Sequence, residues 1–186
     1  MLKKVSLLTF CLVFLLWGVA LGEEVVIHDF EEYRNMRVEQ ANGGVLEFFD
    51  ITSENAVEGE ACAVLGFDLT TPDQTWSEVQ IIVDCPTPLN IEGFKKVKLW
   101  VYGDVVPHNV IILFWDGFLE CSVYGQVDWE GWREWVIDID ETVNKWNVEN
   151  VRLDRIERVR IVVSDSGGVY KTKGQLLFDR LAVAFE

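Results

Sequence analysis

From residue 24 onward the chain is a succession of short apolar runs interrupted by turn residues, with no long stretch of helical periodicity. The runs fall at 25–31, 45–51, 61–67, 76–83, 96–102, 109–115, 119–124, 132–139, 157–163 and 176–184. Val, Ile, Phe and Trp crowd them, side chains that fit a pleated, half-buried surface. Between them stand Asn42-Gly43-Gly44, Thr71-Pro72-Asp73, Pro86-Thr87-Pro88, Gly103-Asp104, Asp116-Gly117, Ser166-Gly167-Gly168 and Lys173-Gly174, all turn chemistry. Asp116-Gly117 between two apolar runs is a hairpin signal. About ten strands at this spacing predict an all-β fold, a single-domain antiparallel β-sandwich or barrel. The segment 141–153 has room for one helical turn, with Trp146 and Val148 expected to plug an end of the fold. No linker, low-complexity tract or repeat divides the rest, so one domain is expected over 23–186.

Residues 1–22 have a different character. Lys3 and Lys4 precede a nearly continuous apolar run from Val5 to Val19, and Ala20-Leu21-Gly22 sets small residues before Glu23. This is the layout of a signal peptide, cleaved after Gly22. The expected product is secreted, periplasmic or held at the cell surface, with no membrane insertion after cleavage. Cleavage removes two lysines and no acids, which takes the formal charge from −15 to −17. It leaves Cys62, Cys85 and Cys121, which permit at most one internal disulfide and contain no CxxC metal pair.

Composition narrows the functions open to the chain. Its 31 acidic residues against 16 basic ones argue against nucleic acid, which needs clustered Lys and Arg. Two histidines, His28 and His108, leave little for imidazole catalysis or multi-His metal centres. No GxSxG, HExxH or phosphate loop occurs. Eight tryptophans in 186 residues are the feature most in need of a role.

Several segments, taken in order, resemble the strands of carbohydrate-binding modules with a galactose-binding-like β-jelly roll. The opening Val26-Ile27-His28-Asp29-Phe30-Glu31 is similar to their first strand. The stretch Phe94 to Gly103 is similar to a central strand, and Gly131 to Ile139 to the strand before a long loop. Ile156 to Val163 resembles the penultimate strand, and Gly174-Gln175-Leu176-Leu177-Phe178-Asp179-Arg180-Leu181-Ala182-Val183 the closing one. The resemblance implies a jelly roll over nearly the whole of 23–186. It also implies a non-catalytic role in binding a polysaccharide or glycoconjugate.

The strand alternation says where a sugar would be met. In 96–102, Val97, Leu99 and Val101 share one face, while Lys96, Lys98, Trp100 and Tyr102 share the other. In 76–83, Trp76, Glu78 and Gln80 oppose Val79, Ile81 and Val83, and in 118–124 the polar face is Glu120, Ser122 and Tyr124. Aromatic rings stack on the apolar faces of sugars, and amide and carboxylate groups bond their hydroxyls. Trp76, Gln80, Trp100, Tyr102 and Tyr124 are therefore the candidate glycan ligands. Trp135 is in phase with core residues, Trp129 lies in a segment that could flank a groove, and Trp115 suits core or groove equally.

The resemblance also implies a structural Ca²⁺ joining the first and last strands, at positions matched here by Asp29, Glu31 and Asp179. Asp29 and Glu31, two apart on a strand, would share a face. Asp138, Asp140 and Glu141 form an acidic cluster, but their spacing does not establish a pair across a cleft as glycoside hydrolysis requires. The expectation is thus a secreted glycan-binding jelly roll that is not an enzyme. The alternative is a structural or assembly domain of the cell envelope or an extracellular appendage, its exposed aromatics meeting envelope proteins. A glycosidase or lyase is the third reading.

Overall fold

The structure is a computed structural model that describes residues 23–71, 76–165 and 168–186. Residues 1–22, where the signal peptide is expected, and parts of the expected turns at Thr71-Pro72-Asp73 and Ser166-Gly167-Gly168 lie outside the described residues. Among the described residues twelve strands form two antiparallel sheets. They are β1 (Glu24–His28), β2 (Met36–Ala41), β3 (Val45–Thr52), β4 (Cys62–Asp68), β5 (Glu78–Leu89), β6 (Lys96–Asp104), β7 (His108–Trp115), β8 (Glu120–Val127), β9 (Glu130–Asp138), β10 (Lys145–Trp146), β11 (Ile156–Ser164) and β12 (Lys173–Ala184). The first sheet runs β3-β4-β12-β6-β9, with β1 also pairing β12, and the second runs β10-β8-β7-β11-β5-β2. Every strand pairs with sequence-distant partners or across a hairpin, which gives the β-sandwich of a jelly roll.

All ten apolar runs are strands. The two additions are strands that alternation does not announce: β2 has few apolar residues, and β10 is only Lys145–Trp146. The stretch Pro86-Thr87-Pro88 does not break β5. Its neighbour β2 stops at Met36 opposite Val83, so beyond that point the prolines lie where no second ladder needs their missing N–H.

One core fills the space between the sheets. Val79 and Ile81 from β5, Val97, Leu99 and Val101 from β6, Ile112 and Phe114 from β7, Val159, Ile161 and Val163 from β11, and Phe178 and Leu181 from β12 are all buried there. The inward assignment read from alternation is therefore the observed one. Trp135 packs partly buried against this core. Trp129 is buried, and its indole N–H donates to the Val101 carbonyl at 3.2 Å, so it flanks no groove. In 141–153 the helical turn is a 3-10 turn at Val148–Asn150, and Val148 packs on the core. Trp146 does not plug the end: it is 58 % exposed on β10.

Gly117 in the β7–β8 hairpin has φ of 93°, and Asp116 Oδ1 accepts the amides of Phe118 and Leu119 at 2.8 and 2.7 Å. That is the turn the Asp-Gly pair signals. Cys62 and Cys121 are buried, Cys85 is half-buried, and all three are free thiols. Burial, aided by nearby carboxylates, pushes Cys62 and Cys85 to about 11 and Cys121 to about 12, so none is a ready nucleophile. Among the described residues no helix is long and apolar enough to cross a membrane.

Candidate functional site

The outward face of the second sheet is assembled by its register. One row across the strands reads Glu39, Gln80, Val162, Ile111 and Tyr124. The next reads Arg37, Ile82, Arg160, Leu113, Ser122 and Trp146. A third reads Asp84, Arg158, Trp115 and Glu120. Aliphatic side chains thus make a floor, with Ile82 and Val162 fully covered, and rings and charges stand around it.

The polar groups on this face are fixed by one another. The Trp76 indole donates to Glu78 Oε2 at 2.8 Å, and Gln80 Nε2 donates to Glu78 Oε1 at 3.2 Å. Arg160 donates to Gln80 Oε1 at 3.2 Å and pairs with Glu120. Arg158 Nε donates to Asp84 Oδ1 at 2.7 Å, and its guanidinium lies 4.7 Å from the centre of the Trp115 ring. Arg37 links Asp84 to Glu39. Such charge-assisted bonds hold donors and acceptors in place before a ligand arrives. Tyr124 and Trp146 keep exposed rings. Two clefts adjoin the face. One of about 430 Å³ lies beside Tyr124, Trp135 and Asn144, and one of about 470 Å³ lies by Asp116, Phe118 and Arg152.

Of the five expected glycan ligands, Trp76, Gln80 and Tyr124 are on or beside this face, while Trp100 and Tyr102 are not. Strand β6 belongs to the other sheet, so its outward side chains point to the opposite side of the sandwich. There the 53–61 loop folds over them. Trp100 Nε1 donates to Glu58 Oε1 at 3.3 Å, and Trp132 Nε1 to the Asn55 carbonyl at 2.6 Å. Tyr102 meets Trp132 edge-on, centroids 5.7 Å apart, beside Cys62, Val64, Leu177 and Ala56. All three rings are half-buried, Tyr102 and Trp132 packed in a second small core. Arg160, Trp115 and Trp146 also stand on the outward face of the second sheet and were not among the expected ligands. The Arg158-Val159-Arg160 alternation, charge set against buried valine in a strand, was the sequence signal that could have found the first.

Of the three expected calcium positions, Asp29 parts from the other two. β1 ends at His28, and Phe30, at φ of 60° and fully buried, breaks the alternation that would have put Asp29 and Glu31 on one strand face. Asp29 Oδ1 instead accepts the Glu31 amide at 3.3 Å. Glu31 turns to the loop and accepts the Glu60 amide. Asp179 is fully buried under the same loop, its Oδ2 accepting the amides of Val57 and Glu58 at 2.8 and 2.9 Å. Its Oδ1 is buried without a hydrogen-bond partner among the described residues. Burial raises the Asp179 carboxyl above its ordinary range, and the charges of Glu31 and Glu58 add to that while the two amides oppose it. Among the described residues no three His, Cys, Asp or Glu side chains gather as a metal cluster.

The acidic cluster is a capped turn. Asp138 Oδ1 accepts the amides of Asp140 and Glu141, and Asp140 pairs with Lys95 at 2.7 Å.

No family model matches the sequence, and no curated protein matches it. Solved structures do match the fold. A family 11 carbohydrate-binding module from Clostridium thermocellum, in complex with a beta-1,3-1,4-mixed-linked tetrasaccharide, superposes with a TM-score of 0.63 at 12 % identity, over 87 % of this chain and 95 % of that one. The fold is that of a carbohydrate-binding-module jelly roll. The family 27 module CBM27-1 of Caldicellulosiruptor saccharolyticus, in complex with mannohexaose, matches with a TM-score of 0.54 at 15 % identity, over 88 % of this chain and 98 % of that one. An exo-beta-agarase matches over 25 % of its own length, with a TM-score of 0.56, so the same sandwich also occurs inside an enzyme.

Proposed function

We propose that this chain is an exported, non-catalytic glycan-binding domain. Its binding surface is the outward face of the second sheet. The observation that carries the reading is an aliphatic floor flanked by Trp76, Trp115, Tyr124 and Trp146, with Gln80, Arg160 and Glu120 already locked in a bonded chain. Rings stack on the apolar faces of successive sugars, and the fixed carboxylates, amide and guanidinium receive the hydroxyls. Solved structures of this fold that hold a mixed-linkage tetrasaccharide and a mannohexaose support it. The signal-peptide pattern of 1–22 supports export.

The test is calorimetric titration with mixed-linkage β-glucan and mannan oligosaccharides, repeated with Arg160→Ala. Saturable binding that Arg160→Ala weakens supports the reading. Binding that ignores Arg160→Ala, or no binding to either, overturns it and favours a protein partner.

A structural Ca²⁺ is part of the same proposal, with Asp179 and Glu31 as its side-chain ligands and Asp29 outside it. The orphaned, buried Asp179 Oδ1 fits a hard cation, and Ca²⁺ completes an irregular oxygen shell from backbone carbonyls. The ion would also relieve the repulsion between the acids under the 53–61 loop. Ca²⁺ should raise the melting temperature and EGTA should lower it. Asp179→Asn should remove the share of the response that this site supplies while leaving glycan affinity in place.

A further inference from the structure

A second orphaned carboxylate, Asp165, lies at the end of the β5–β11 pairing. β5 and β11 pair as far as Glu78 and Ser164, and one residue beyond, Asp165 N donates to the Ser77 carbonyl at 3.0 Å. Alternation turns Ser77 and Asp165 inward, in phase with the core residues Val79 and Val163. Both are fully buried. Among the described residues, Ser77 Oγ and both carboxylate oxygens of Asp165 have no hydrogen-bond partner.

The neighbouring imidazole does not serve them. His108 begins β7, one residue before the Asn109–Ser164 pair. Its Nε2 is 2.8 Å from Asp104 Oδ1 and its Nδ1 is 2.9 Å from Thr172 Oγ1, so both ring nitrogens are engaged elsewhere. A buried carboxylate with neither donor nor counter-charge is costly to maintain. Side chains opposed across a strand pair stand about 5 Å apart at Cβ. A cation at about 2.4 Å from each oxygen bridges such a pair.

We propose that Asp165 and Ser77 are the side-chain ligands of a buried site for a hard cation that accepts an irregular oxygen shell, Ca²⁺ or Na⁺. Neighbouring backbone carbonyls complete the shell. Mg²⁺ is disfavoured, because it demands octahedral geometry and keeps its waters. The site is separate from Asp179, which lies on the outward side of the first sheet under the 53–61 loop.

Thermal unfolding of the purified, metal-stripped protein in choline chloride tests this, with Asp179→Asn as the background so that the other site is silent. CaCl₂ or NaCl, added in separate arms, should raise the melting temperature by roughly 5 °C, as expected for a ligand well above its dissociation constant. MgCl₂ should not. Adding Asp165→Asn should remove the response. Ser77→Ala, which keeps the carboxylate, should shift the midpoint of the titration to at least several-fold higher cation and covers the case in which Asp165→Asn fails to fold. No response to either cation in the Asp179→Asn background overturns the proposal. A response that survives Asp165→Asn, or is untouched by Ser77→Ala, also overturns it.

Discussion

The two outward faces of the sandwich are built from the same material, and one is covered while the other is left open. Each carries tryptophan and tyrosine alternating with Glu, Lys or Arg along its strands. On the first sheet the 53–61 loop lies over Trp100, Tyr102 and Trp132, and both indole N–H groups are spent on that loop. On the second sheet Tyr124, Trp146 and Trp76 remain exposed, and the polar groups bond one another along the face. An aromatic beside a charge on a strand is thus compatible with a covered second core and with an open face. What separates them is a segment distant in sequence.

Substitutions on the covered side should break that contrast most strongly. Trp132→Ala removes a ring packed on Tyr102 and a bond to the Asn55 carbonyl, and should cost about 2 kcal/mol of stability. Chemical denaturation would measure it, and glycan affinity should stay within twofold. On the open side Tyr124→Ala should weaken glycan binding by about 1–2 kcal/mol, roughly fivefold to thirtyfold, with no change in unfolding midpoint. Titration calorimetry checks the first and denaturation the second.

A smaller effect concerns pH. His108 is held below its ordinary value chiefly by burial, against the pull of Asp104. Its contribution to stability is present above the unfolded imidazole value of 6.5 and is lost as pH falls through the lower folded value. The melting temperature should therefore decline on acidification below about pH 6.5, and His108→Gln should flatten that slope. The smallest effect expected is none. Cys62 and Cys121 are buried with raised thiol values, so iodoacetamide on the native protein at pH 8 should leave both unmodified by mass spectrometry.

The sequence carried the strands and their inward faces plainly, because a buried strand must alternate and its turns must hold Gly, Asn or Asp. Val97, Leu99 and Val101 were legible as core for that reason, and Asp116-Gly117 as a hairpin. Sheet membership was not legible, since it depends on which distant strand donates the ladder. Trp100 and Tyr124 have equivalent local patterns, yet β6 pairs with β12 and β9 while β8 pairs with β7 and β10. The closing-strand pattern singled out Asp179, which the fold buries under the 53–61 loop. Asp29 was misplaced because nothing local announces the left-handed turn at Phe30 that ends β1's alternation.

The most direct test of the account is an NMR titration that follows the tryptophan indole N–H resonances as a bound oligosaccharide is added. The signals of Trp76, Trp115 and Trp146 should move together with ligand, while those of Trp100, Trp129 and Trp132 stay within the line width. Movement of Trp100 and Trp132 with the second-sheet indoles unchanged would put the glycan on the first sheet and contradict the account.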